Sequence, residues 1–139
     1  MADKVAFELV SPERLLASVQ ADMVVVPGAE GDFGVLPDHA PFLSLLRPGV
    51  ISVYQGDRVD QRVFVGGGFT EVNERGCTVL AEDAQPLEEI DLERARLTLR
   101  DAEEDLGAAR DPGEGERERE RLERAVLVAR TRVETAEGR

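Results

Sequence analysis

A change of hydrophobic period near residue 86 limits this chain's folding options more than any other feature. Before it, apolar and polar residues alternate in short runs. Val50, Ser52 and Tyr54 fall on one side of an extended segment and Ile51 and Val53 on the other, while Phe7 and Leu9 share a face. After it, Leu92, Ala95, Leu99, Ala102 and Leu106 recur at spacings of 3, 4, 3 and 4, and Leu122, Val126, Ala129, Val133 and Ala136 at 4, 3, 4 and 3. Those spacings put one narrow apolar seam on each of two helices. The chain therefore holds a β architecture and an α architecture in series, over residues 1–86 and 87–139.

In the first part, eight runs qualify as strands: VAFELV, RLLASV, DMVVVP, FLSLL, GVISVYQ, DQRVFVG, FTEV and CTVLA. Their spacing suits a small sandwich. Gly56 and Gly76 sit where tight hairpins need positive φ, and Pro48-Gly49 forms a turn before a strand. Gly66, Gly67 and Gly68 lack the Lys and Ser/Thr of a phosphate loop and precede strand-like residues, which points to close backbone packing or a bulge. In the second part, RDPGEGE at 110–116 breaks the helical pattern, so the two helices fold back as an antiparallel hairpin. Its seams are thin and alanine-rich, which makes the hairpin the weaker unit.

A formal net charge of −12 opposes binding to nucleic acid or anionic membranes. Sixteen of the 17 basic residues are arginines, suited to forked contacts with carboxylate or phosphate. Arg117, Arg119, Arg121 and Arg124 cluster after the break, either as a solvated face laced with Glu–Arg pairs or as a surface for acidic groups of another protein. The single cysteine, Cys77, excludes an intrachain disulfide, and its alternating setting reads as a buried strand position. The N-terminus lacks a signal-length apolar stretch and no ~18 apolar residues run together, so a cytosolic chain that meets a membrane only through another protein is expected.

The segment GDFGVLPDHAPF, residues 31–42, concentrates the only histidine, two aspartates and two prolines. His39 has no second His or Cys with which to share a metal and no evident nucleophile to activate; Asp38 beside it points away in extended chain. No catalytic constellation and no metal set emerges. Asp91 suits a helix N-cap, with Glu88, Glu89 and Glu93 at the positive end of the dipole. Nucleotide binding by Asp91 and Arg94 is the alternative use of that segment.

The run PGAEGDFGVLPDHAPFLSLLRPGVISV (27–53), followed by GGFTEV, VLAEDA and a two-helix tail, resembles the epsilon subunit of bacterial F-type ATP synthase nearly end to end. The resemblance implies a ten-stranded β-sandwich followed by a C-terminal antiparallel two-helix hairpin. It implies a non-catalytic rotor subunit on the cytoplasmic face of the plasma membrane, held peripherally. Its partners there are gamma, the c-ring, and the alpha and beta subunits, which the opened hairpin approaches to hinder ATP hydrolysis. By position, Glu30, Gly31, Asp32, Phe33, Gly34, Val35 and Leu36 match the loop that meets the c-ring, and His39, Ala40 and Pro41 match the turn after it, near ring and gamma. Ile90, Asp91, Arg94 and Ala95 match the family's ATP-binding motif, so ATP is implied as a regulatory ligand and no other cofactor. Asp101 stands ten residues after Asp91, where ATP-binding members carry a further Arg. The second helix is Glu-rich where strongly inhibitory members are rich in Lys and Arg.

Overall fold

A computed structural model describes residues 4–109 and 115–139. Ten strands come first: β1 Val5–Val10, β2 Leu15–Ala21, β3 Met23–Gly28, β4 Gly31–Val35, β5 Phe42–Leu46, β6 Gly49–Gln55, β7 Arg58–Val65, β8 Gly68–Asn73, β9 Gly76–Ala81 and β10 Gln85–Pro86. A 3₁₀ turn, Leu87–Glu89, leads to α1 Leu92–Ala108 and α2 Gly115–Glu137. The chain divides into two compact units, one ending at Leu87 and the next beginning at Glu88.

The first unit is a sandwich made from one continuous path of strands, β10-β7-β6-β3-β5-β8-β9-β1-β2, with β4 paired to β3. All pairings are antiparallel except β1 with β9, which run parallel from Phe7↔Cys77 to Val10↔Leu80. The alternation seen in the sequence sets the core. Phe7 and Leu9 are buried while Glu8 is exposed, and Val24, Val26, Ile51, Val53, Val65 and Val79 are fully buried. Each such side chain contributes ~1.5–3 kcal/mol by leaving water. Cys77 lies among them, and burial pushes its thiol up to about 12, so it packs as a small hydrophobe.

Two glycines explain how closely the strands approach. A Cβ on Gly68, at φ 127°, would sit 2.0 Å from the Leu80 carbonyl oxygen, and one on Gly76, at φ 143°, 2.1 Å from that of Ala6. Gly68, the last of the three-glycine run, thus serves close backbone packing. At one end of the sandwich a polar stitch joins three segments. Lys4 pairs with Asp22 at 2.9 Å and donates to Gln55 at 3.1 Å, while Asp22 accepts from the Gly56 amide and Gln55 donates to the Gln20 carbonyl. The Lys4 contact and the Gly56 amide hold the Asp22 carboxyl below its usual value.

The structure differs from the sequence expectation at residues 30–36, read there as a loop. Gly31–Val35 is strand β4, because β3 offers it a full register from Val24↔Val35 to Gly28↔Gly31. Gly31, at φ 138°, makes the tight reversal possible.

In the second unit, Asp91 caps α1, its carboxylate accepting from the Arg94 amide at 3.1 Å. The helices are antiparallel: Arg96 pairs with Glu137 at 2.9 Å and Arg130 with Glu103 at 3.4 Å. The seam falls where the spacing placed it, with Leu122, Val126, Ala129, Val133 and Ala136 buried on α2. On α1 only Ala95 is fully buried. Of the expected break at 110–116, residues 110–114 lie outside the described residues, whereas Gly115 and Glu116 already belong to the first turn of α2. Glu116 and Glu118 suit that positive helix end.

Candidate functional site

The β3–β4 hairpin and the end of β5 form a built feature. Main-chain bonds join them, Arg47 N–H to the Pro27 carbonyl at 3.0 Å and Ala29 N–H to the Leu45 carbonyl at 2.9 Å. The Arg47 guanidinium then donates through Nη1 to the Gly28 carbonyl and through Nη2 to Asp32 Oδ1, both at 2.5 Å. Between tip and strand lies an open groove of about 470 Å³, lined by Gly28–Phe33 and by Leu43, Ser44 and Leu45. Its rim is acidic, from Glu30 and Asp32, and its wall on β5 is apolar.

The residues marked from the sequence divide by exposure. Glu30, Gly31, Asp32, Leu36, His39, Ala40 and Pro41 are at the surface, Phe33 and Gly34 are half-buried, and Val35 is in the core at 1% exposure. Phe33 meets Phe42 edge-on with centroids 5.0 Å apart, and the His39 ring lies 4.9 Å from Phe42. His39 Nδ1 is 3.0 Å from the Ala40 carbonyl oxygen, so that nitrogen carries the proton and donates. The histidine is thus fixed as the outer member of an aromatic stack that reaches the core through Phe33. Among the described residues, no three His, Cys, Asp or Glu side chains are arranged to hold a metal ion.

Sequence reasoning missed a second part of the site. On β5 the residues facing solvent are Leu43 and Leu45, 68% and 69% exposed, while the polar Ser44 is turned inward. The register continues this apolar surface across the sheet: Leu45 opposes Phe69, Phe69 opposes Leu80, Leu80 opposes Val10, and Val10 opposes Leu15. Leu15, Phe69 and Leu80 are all exposed. One apolar row therefore crosses five strands, beside a polar row of Glu71, Thr78, Glu8 and Ser18. Large exposed apolar residues in a row mark a surface that another molecule covers. The signal was available in FLSLL, whose polar residue sits in phase with the core.

At the start of α1, Ile90 and Ala95 are buried, Asp91 is engaged as the cap and the Arg94 side chain is exposed. The Ile90 carbonyl accepts from the Arg139 guanidinium at 2.7 Å. Asp101 is exposed.

The family model for the "ATP synthase, Delta/Epsilon chain, beta-sandwich domain" matches residues 4–87. The ATP synthase epsilon chain of Maricaulis maris is 52% identical over 94% of this chain and 92% of its own length. That of Rhodospirillum rubrum is 54% identical over 82% and 85%. Among solved structures, a chain of the Euglena gracilis mitochondrial ATP synthase, described as OSCP/F1/c-ring, superposes with a TM-score of 0.75 at 24% identity, covering 93% of this chain and 79% of that one. A chain from the central stalk and c-ring of the Tetrahymena thermophila enzyme gives 0.56 at 13% identity, over 96% and 93%. These two likenesses speak for the fold.

Proposed function

The chain belongs to the ATP synthase delta/epsilon family, and on that footing we propose that it is a non-catalytic central-stalk subunit of a proton-translocating F-type ATP synthase. It carries rotation between the c-ring and gamma, on the cytoplasmic face of the bacterial plasma membrane. The observation that carries this reading is the apolar row from Leu45 to Leu15 running into the acid-rimmed groove, with Leu45 common to both. The row offers gamma a surface that binds by excluding water. The tip with Glu30 and Asp32 offers the polar loops of the c-ring a carboxylate contact. His39, Ala40 and Pro41 extend the surface at the junction. Replacing Leu45 and Phe69 together by serine weakens binding to gamma by about thirtyfold, as loss of a buried interface anchor does, measured by surface plasmon resonance. A full chain with no affinity for gamma ends the proposal.

A second reading concerns the hairpin as a regulatory arm that opens towards alpha and beta and slows ATP hydrolysis. It is favoured by the weak hold on α1, which buries only Ala95 fully, leaves Leu92, Leu99, Ala102 and Leu106 half-buried, and adds exposed ion pairs. Faster hydrolysis by the reconstituted complex when the chain ends at Leu87 supports it, and equal rates remove it. ATP held by Ile90, Asp91, Arg94 and Ala95 is the ligand that reading admits. Titration of the isolated chain with ATP, followed by amide exchange in the hairpin, tests it.

A further inference from the structure

We propose that Arg47 is the positioning residue of the docking tip, an inference that rests on the docking function above. Four facts lead to it. Asp32, the carboxylate presented at the tip, is 62% exposed and would sample several rotamers if left alone. One planar guanidinium instead ties it down, with Nη2 on Asp32 Oδ1 and Nη1 on the Gly28 carbonyl, so the side chain of β4 and the main chain of β3 are held by the same rigid fork. Oδ2 of Asp32 has no partner among the described residues and stays available to a cation from outside. The base of the fork is held by main-chain contacts. Arg47 N–H bonds Pro27, and a Cβ on Gly49, two residues on, would lie only 2.7 Å from Pro27 Cβ.

Arg47 therefore settles in advance which oxygen of Asp32 faces out and how wide the groove stands between tip and β5. A partner meeting a fixed carboxylate does not bear the loss of rotamer freedom at the encounter. The pair also neutralises one of the two acidic groups at the rim, leaving Glu30 as the charge with no ion-pair partner among the described residues. A lysine at 47 keeps the charge but cannot fork.

The test uses the full chain, the gamma–c-ring subcomplex as partner, and the substitutions Arg47→Ala, Asp32→Asn, both together, and Arg47→Lys. Binding is read by biolayer interferometry and hairpin order by amide exchange on the isolated chain. Arg47→Ala weakens binding about tenfold, the size expected for a lost charge-assisted pair. The double variant binds no worse than the weaker single one, because both act through one carboxylate. Arg47→Lys recovers only a minor part, and exchange rises across Gly31–Val35 while β6 and β7 keep their protection. Unchanged or tighter binding by Arg47→Ala overturns the proposal, as do losses that add in the double variant. If the unaltered chain fails to bind, the docking function falls; unchanged exchange at Gly31–Val35 in Arg47→Ala then rejects the clamp separately.

Discussion

In the sandwich, Phe7, Leu9, Ile51 and Val53 are at most 1% exposed, whereas α1 fully buries a single alanine. The two units differ in kind as well as amount. Strand alternation gives the first a two-layered aliphatic core, closed by glycines that admit only one approach of the backbones. The second rests on a seam one or two residues wide, an N-cap and ion pairs open to water. A unit of the first kind keeps its surface in shape whatever it meets. A unit of the second kind buries little, so a few kcal/mol from a partner can shift it.

The largest effect falls where the core is densest. Phe7→Ala costs about 3–5 kcal/mol, read as a lower urea midpoint for the whole sandwich; a loss under about 1 kcal/mol means that the core is looser than its burial indicates. Gly68→Ala follows, at about 2 kcal/mol or more, since a side chain there meets both an unfavourable φ and the Leu80 carbonyl. Leu122→Ala removes a seam residue 9% exposed and costs about 2 kcal/mol. Its effect is confined to faster amide exchange in α1 and α2, with β-sheet protection unchanged. Loss of protection in both units at once contradicts two separate levels of stability.

The smallest effect is a dependence on pH. Asp22 links three segments of the sandwich, while Glu118 pairs with Arg121 within one turn of α2, and both carboxyls are held below their ordinary values by those partners. A depressed carboxyl stabilises the folded state above its unfolded pKa and loses that contribution as pH falls through the folded one. Asp22→Asn therefore lowers the thermal midpoint at pH 7, and the difference fades below about pH 4, near the ordinary Asp value. Glu118→Gln changes helix content in the same direction and leaves the sandwich midpoint alone. Circular dichroism across pH 2–7 separates the two, and a gap that widens on acidification reverses the sign of the argument.

Much of this was legible in the sequence, for physical reasons that also explain the omissions. The seam residues of both helices follow from spacing alone, because a 3.6-residue turn leaves no choice of face. The strands rich in Val, Ile and Phe announce themselves. β4 does not, since GDFGV has two glycines and an aspartate; its extended form is imposed by β3, not by its own preference. β10 is two residues long and ends in a proline at the sheet edge. At the docking tip, Asp32 could be marked from its surroundings, but Arg47 lies fifteen residues further on. Nothing local joins them until β5 returns beside the hairpin. The apolar row was easy to pass over because FLSLL carries leucines on both faces, and only Ser44, in phase with the core, marks which leucines face out.

The parallel pairing of β1 with β9 also fixes an order of events. β1 finds its second neighbour only about seventy residues further along the chain, from Phe7 to Cys77. Until Gly76–Ala81 is available, β1 is hydrogen-bonded to β2 alone among the described strands, and two-stranded hairpins are marginal in water. Closure of the sandwich is thus the slow, long-range step of folding. In pulse-labelled refolding, the amides of β1 that face β9 are expected to gain protection last, in a single phase with those of β9.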